Sequence, residues 1–357
     1  MRRLILSLIC FTSLFLVSNY NCNACSSVCL KTLSGVFFGA NLDLQWGDGL
    51  IYVNRRNIDK AGYLTNTLEE TAKWTSKYGS LTFNLVGREF AWCGMNEAGL
   101  VISTMYLDST ELPIADTRPP LVSGFWVQFM LDNCQSVSEV IAADSLVRLA
   151  DDKCHFLVAD SKGNCATIEF LDGKLVYHTS DQLPITALTN DPYQILLENY
   201  NNGTVPQRDL FHSVERFQNI AEKLSDFNAH SDIAPLEYTL DIMTQTVKMK
   251  DTKWSIIFDI EKREIYFQTK KSPTLKYIQM DEFNYSCNAS EKMLDVNSLL
   301  TGDISSSFIP YNHSYNLSVF KTFCERWGVD VSDSSAEDLI IFIEEFSCSD
   351  FKNNKND

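Results

Sequence analysis

The chain has 357 residues, 45% of them hydrophobic, and a net charge of −16 from 30 Lys and Arg against 46 Asp and Glu. That length can bury one large core, or one core with an appendage. The acidic balance argues against nucleic acid and anionic membrane surfaces as partners.

The first 24 residues read as a signal peptide. Arg2 and Arg3 form a basic start, Leu4 to Val17 an apolar core too short to span a membrane comfortably, and Ala24 a small residue at the cut. Loss of the two arginines leaves 28 basic against 46 acidic residues, a charge of −18. No later apolar stretch has the length of a membrane span. Cleavage after Ala24 makes Cys25 the first residue of the mature chain. A cysteine there carries a thiol of pKa about 8.5 beside an α-amine of about 7.7–8.0, so nucleophile and base share one residue. The competing reading is a lipoprotein signal, because a small residue precedes Cys25. The usual leucine three positions before it is absent, and lipidation would occupy both reactive groups.

From Cys25 to Asp108 the pattern is mostly strand, with β-rich runs at Ser27–Thr32, Val36–Leu42, Leu50–Arg55, Ser80–Val86 and Leu100–Leu107 between Gly and Asp turns. After Pro119-Pro120, Leu121–Asn133 and Ser136–Ala143 have helical spacing. Strands return at His155–Ala159, Cys165–Leu171 and Lys174–His178. Helices are predicted at Tyr193–Tyr200, Leu210–Leu224 and Pro235–Val247, then a hairpin of Trp254–Asp259 and Glu264–Thr269. This order suits a layered α+β domain over residues 25–280. Residues 281–357 form a C-terminal extension, rich in Asn and Ser to Asn316, then helical at Val319–Trp327 and Ala336–Phe346. It reads as a cap or an appendage.

Of eleven cysteines, nine remain after cleavage, with no even small-scaffold spacing. The Cys22/Cys25 pair would be separated by the cut, and no H-x-x-x-H or H-E-x-x-H pattern occurs, so neither metal nor cofactor is assigned. Asn-x-Ser/Thr sites at Asn202, Asn284, Asn288, Asn312 and Asn316 would be surface glycosylation sites in a eukaryotic secretory pathway.

Cys25 followed by a strand, then Gly39-Ala40-Asn41-Leu42-Asp43, Trp74 to Ser80, Gly94 to Leu100, Asp116-Thr117-Arg118-Pro119 and Leu188-Thr189-Asn190-Asp191-Pro192, resemble in that order the choloylglycine hydrolase family. That family includes penicillin V acylases and conjugated bile salt hydrolases. The resemblance runs from Cys25 to about Thr269. It implies an N-terminal nucleophile hydrolase, a four-layer αββα sandwich that cleaves linear amides through an acyl-enzyme. Cys25 then matches the nucleophile, and Asp43 the carboxylate that orients the α-amine. Asn190 matches a side-chain donor to the oxyanion, and Tyr106 the residue whose backbone N–H assists it. Arg216 matches a family arginine near the thiol.

This chain departs from the family pattern at Ala40, where an arginine is usual, and at Leu44, often aromatic. Arg55 or Arg56 is the candidate replacement charge. Trp46, Phe83, Trp92 and Tyr106 are candidates for an apolar acyl pocket, against the commoner fate of strand aromatics in the core. The expected activity is that of an exported cysteine amidase with a small-molecule N-acyl amide substrate and no membrane span; a homo-oligomer is left open. The alternative is a catalytically degenerate binding protein or lipoprotein, for which Ala40 and the lipobox-like Cys25 are the support.

Overall fold

The computed structural model describes residues 24–64, 69–209, 212–229 and 233–349. The signal-like segment, Ala24 excepted, lies outside the described residues.

Two large sheets form the middle of the molecule. The first has seven strands in the order Ala187–Leu188, Ser26–Thr32, Gly35–Asp43, Thr252–Asp259, Glu264–Thr269, Lys276–Gln279 and Gly302–Asp303, antiparallel except for the last pair. The second has nine antiparallel strands, Lys174–Thr179, Cys165–Leu171, Cys154–Ala159, Val101–Tyr106, Ala91–Asn96, Ser80–Asn84, Leu50–Asn54, Lys292–Asp295 and Ile309–Pro310. Alternation along Ser26–Thr32 sends its side chains in two directions. Ser27 donates across to Ser103 of the other sheet at 3.0 Å, while Val28 packs on the helical side near Met243. Between the sheets Phe83 lies edge-on to Phe258 and Phe267, with ring centroids 6.4 and 5.3 Å away.

Each sheet needs a second cover for its outer face. Helices Tyr193–Asn202, Ser213–Ala229 and Pro235–Asp241 cover the seven-stranded sheet through Leu196, Phe217, Ile220 and Tyr238. The approach is close at Gly39, where a Cβ would meet Met243 Cγ at 2.7 Å, so only glycine fits without displacement. Helices Ser123–Asn133 and Val137–Ala142 cover the nine-stranded sheet, with Trp126 stacked on Phe156 at 4.3 Å. The four layers are those of the expected αββα sandwich.

Several elements differ from the reading of the sequence, and two of them have a clear physical reason. Ala91–Asn96 was not predicted as a strand, since all six residues are buried and the polar–apolar alternation of a half-solvated strand is missing. The helix predicted over Pro235–Val247 stops at Asp241 and continues as a π turn over Ile242–Thr246, whose Met243 carbonyl accepts from Asn41 Nδ2 at 2.7 Å.

Beyond Asp281 the chain adds strands to both sheets and two helices, His313–Arg326 and Asp333–Glu344, which pack on the covered face of the nine-stranded sheet through Phe320, Leu339, Ile340 and Ile343. Ser347–Cys348 pairs with Ile58–Ala61, and a disulfide joins Cys287 to Cys348 with Cα atoms 5.3 Å apart. Asn202, Asn284, Asn288 and Asn312 are exposed, but Asn316 is not a surface site. Its side chain is fully buried, accepts from Tyr52 Oη at 2.6 Å and Arg88 N–H at 3.0 Å, and donates to Tyr311 Oη at 2.9 Å. Asn316→Ala leaves these groups unpaired and should lower the unfolding free energy by about 2–4 kcal/mol in a urea titration. A change below about 0.5 kcal/mol would show that Asn316 does not anchor this helix.

Candidate active site

Residues far apart in sequence meet at the start of strand Ser26–Thr32. The Cys25 N–H donates to Asn190 Oδ1 at 2.9 Å. Arg216, on helix Ser213–Ala229 and 3% exposed, donates through Nη1 to the Cys25 carbonyl at 2.6 Å and to Ser26 Oγ. Its Nη2 donates to Asn190 Oδ1 at 2.7 Å. Asn190 Nδ2 donates to the Tyr106 carbonyl at 2.7 Å. Four of the five predicted residues are therefore joined by direct hydrogen bonds. At Tyr106 the contact is made by backbone, while the phenol reaches out to Asp108.

The fifth, Asp43, ends strand Gly35–Asp43, which pairs with Ser26–Thr32 from Ser26↔Asn41 onwards. Its backbone carbonyl accepts from Ala24 N–H at 3.1 Å, which puts it beside the bond whose cleavage would free Cys25. Asp43 is fully buried, Thr252 Oγ1 donates to its Oδ1, and Oδ2 is buried with no hydrogen-bond partner among the described residues. Burial raises its pKa to about 7 against the opposing charge of Arg216.

Several supports were not foreseen in the sequence. Ser213 Oγ accepts the Asn190 N–H at 2.9 Å and the Ser213 carbonyl accepts from Thr189 Oγ1, also at 2.9 Å, fixing the loop that carries Asn190. His155 Nε2 lies 2.6 Å from the Thr189 carbonyl and Nδ1 3.2 Å from Glu169, which also accepts from Tyr193 N–H. A serine at a helix start and a histidine inside a strand carry no local signal of this. Only the docking of helix on sheet brings them to Asn190.

Cys25 lines a cavity of about 680 Å³ whose walls include Leu42, Leu44, Trp92, Met105 and Tyr106. Of the aromatic candidates, Trp92 and Tyr106 line it. Phe83 is instead wholly buried between the sheets, and Trp46 lines a smaller neighbouring cavity with Leu44, Phe323 and Trp327. Neither proposed substitute for the family arginine is directed to the thiol: Arg55 pairs with Glu291 and bonds the Cys287 and Ala289 carbonyls, and Arg56 pairs with Glu97. Ala40 itself is fully buried. Among the described residues no group of three or more His, Cys, Asp and Glu is arranged to hold a metal, and no helix is long and apolar enough to cross a membrane.

The buried Asp43 makes a prediction for a chain that still carries Ala24. Its folded pKa lies above 3.8, so the folded state holds the proton more tightly than the unfolded state. The stabilising contribution is complete below about pH 4 and is lost as pH rises through about 7. Between these limits the unfolding free energy should fall by on the order of 2–4 kcal/mol more in the wild type than in Asp43→Asn. Parallel profiles would contradict the assignment.

Comparisons with known proteins bear on the family and the fold. The profile of the choloylglycine hydrolase family, linear amide C–N hydrolases, matches residues 25–219. A penicillin V acylase of Pectobacterium atrosepticum is 25% identical over 296 residues, covering 67% of this chain and 77% of its own. Among solved structures, penicillin V acylase from Agrobacterium tumefaciens superposes with a TM-score of 0.64 at 21% identity, covering 81% of this chain and 98% of that one. A variant of the conjugated bile acid hydrolase from Clostridium perfringens gives 0.62 at 17% identity, covering 78% and 98%. A fold of two facing sheets between helical layers and a profile that begins at Cys25 place this chain in the choloylglycine hydrolase family of linear amide C–N hydrolases.

Proposed function

We propose that this linear amide hydrolase is an exported cysteine amidase that works through an acyl-enzyme on an N-terminal Cys25, on substrates of the penicillin V acylase or conjugated bile acid type. The observation that carries the reading is the junction of Cys25, Asn190 and Arg216 at the wall of an apolar cavity, with the backbone of the buried Asp43 bonded to Ala24, beside the bond to be cut. Removal of residues 1–24 converts the Cys25 N–H into an α-amine. Asn190 Oδ1 then holds that amine, and Asp43 Oδ2, which lacks a partner while Ala24 is attached, gains one.

The chemistry follows from those positions. The α-amine takes the thiol proton and Sγ attacks the amide carbonyl. The developing oxyanion is held by Asn190 Nδ2, whose first N–H is fixed on the Tyr106 carbonyl and whose second remains to donate. The Tyr106 backbone N–H is the expected companion donor. Collapse breaks the C–N bond, and the α-ammonium protonates the departing amine. Water, deprotonated by the same α-amine, then attacks the thioester and releases the acid. Arg216, held on the Cys25 carbonyl and Asn190, keeps a positive charge beside the negative transition state.

A non-catalytic binding protein is the weaker reading. Its support is Ala40, which leaves Arg216 as the cation bonded to this site. Kinetics on a panel of N-acyl amides separates the two. Cys25→Ala should abolish turnover and the acyl adduct on the N-terminal peptide, and Asn190→Ala should lower kcat about 10²–10³-fold. Undiminished turnover in Cys25→Ala would remove the nucleophile assignment, and a small loss in Asn190→Ala would reduce Asn190 to a structural role.

A further inference from the structure

The cavity beside Cys25 is not closed by the elements of the family match. Phe320 and Phe323 of helix His313–Arg326, Trp327 at its C-cap, and Leu339 of helix Asp333–Glu344 line it together with Leu42, Trp92 and Met105. These helices lie outside the matched residues 25–219. They are tied to the body at several points. Arg326 pairs with Asp48, five positions after Asp43, and Trp327 meets Trp46 edge-on at 6.0 Å. Tyr63 packs on Phe342 at 5.3 Å, and the Cys287–Cys348 disulfide holds the end of the segment.

We propose that the two C-terminal helices form the far wall of the acyl pocket and set the enzyme's acyl preference, selecting N-acyl amides with a long, uncharged hydrocarbon acyl chain. The inference rests on the amidase reading above. A volume of about 680 Å³ is far more than a two-carbon acyl group needs and lies in the range that encloses drug-sized ligands. The surface that the C-terminal helices give to the cavity is aromatic and aliphatic. Among the described residues, the charged ones that line it are Asp151, Asp152 and Lys153, beside Ser123, whose Oγ donates to Asp152 at 2.8 Å. Lys153 is paired with Asp108 at 2.8 Å, so a charged acyl tail would be buried without a counter-ion, whereas apolar walls reward each methylene buried.

The test uses the processed enzyme and a series of amides of one chromogenic amine with acyl chains from acetyl to hexadecanoyl. The kcat/KM should rise about fourfold per methylene until the chain meets the wall. Phe323→Ala should move the best chain length upward, and Leu339→Trp, which fills the cavity, should move it downward. Should either variant fail to fold, the wild type still answers: a long acyl chain ending in a diazirine, irradiated as the Cys25 acyl-enzyme, should label peptides containing Phe320 to Trp327 or Leu339. A rate that does not depend on chain length, or label confined to other elements while the acyl-enzyme forms, overturns the inference and leaves the amidase reading standing. Absence of a Cys25 acyl-enzyme with every chain removes both.

Discussion

The site is organised around one buried positive charge. Arg216 is 3% exposed, and taking a guanidinium out of water costs several kcal/mol unless its donors are satisfied. Its partners are the Cys25 carbonyl, Ser26 Oγ and Asn190 Oδ1, from the first strand and from the loop after Ala187–Leu188. Satisfying it docks helix Ser213–Ala229 against the edge where strand Ser26–Thr32 begins. It also aims the Asn190 amide, since an oxygen held by Arg216 and Cys25 leaves the Asn190 nitrogen turned to Tyr106. Asp43 lies within electrostatic reach of the same charge, which moderates but does not cancel the effect of burial on its carboxyl.

The arrangement suits the maturation proposed for this enzyme. While Ala24 is attached, the Cys25 nitrogen is an amide and has no basicity, and Asp43 Oδ2 is a buried oxygen without a partner. Such groups are costly. In the proposed mature form the new terminus resolves both conditions in one step, so the structural strain of the uncut chain and the chemistry of the cut one are two aspects of one site.

Much of this was legible in the sequence because it rests on local pattern. The strands flanking Cys25, the helices after Pro119-Pro120 and the hairpin of Thr252–Asp259 with Glu264–Thr269 follow from alternation and turn residues. Cys25, Asp43, Asn190 and Arg216 were found through ordered motifs, and the fold brings them together. Ala91–Asn96 was hidden by burial of every residue. Asn316 reads as an acceptor for sugar, yet it is buried by Tyr52 and Arg88, more than 200 residues away, together with nearby Tyr311. The role of the tail was equally hidden, because only tertiary packing places Phe323 and Trp327 in the cavity of Cys25. Arg55 and Arg56, near the site in sequence, are claimed by Glu291 and Glu97.

The central claim is that catalysis depends on a free α-amine at Cys25. The most direct measurement compares two preparations that differ by one residue, one beginning at Cys25 and one at Ala24, with termini established by intact mass and N-terminal sequencing. The account predicts turnover of N-acyl amides and a thioester on Cys25 in the first, and neither in the second. Equal activity in the two would mean that the base lies elsewhere, and would contradict the account.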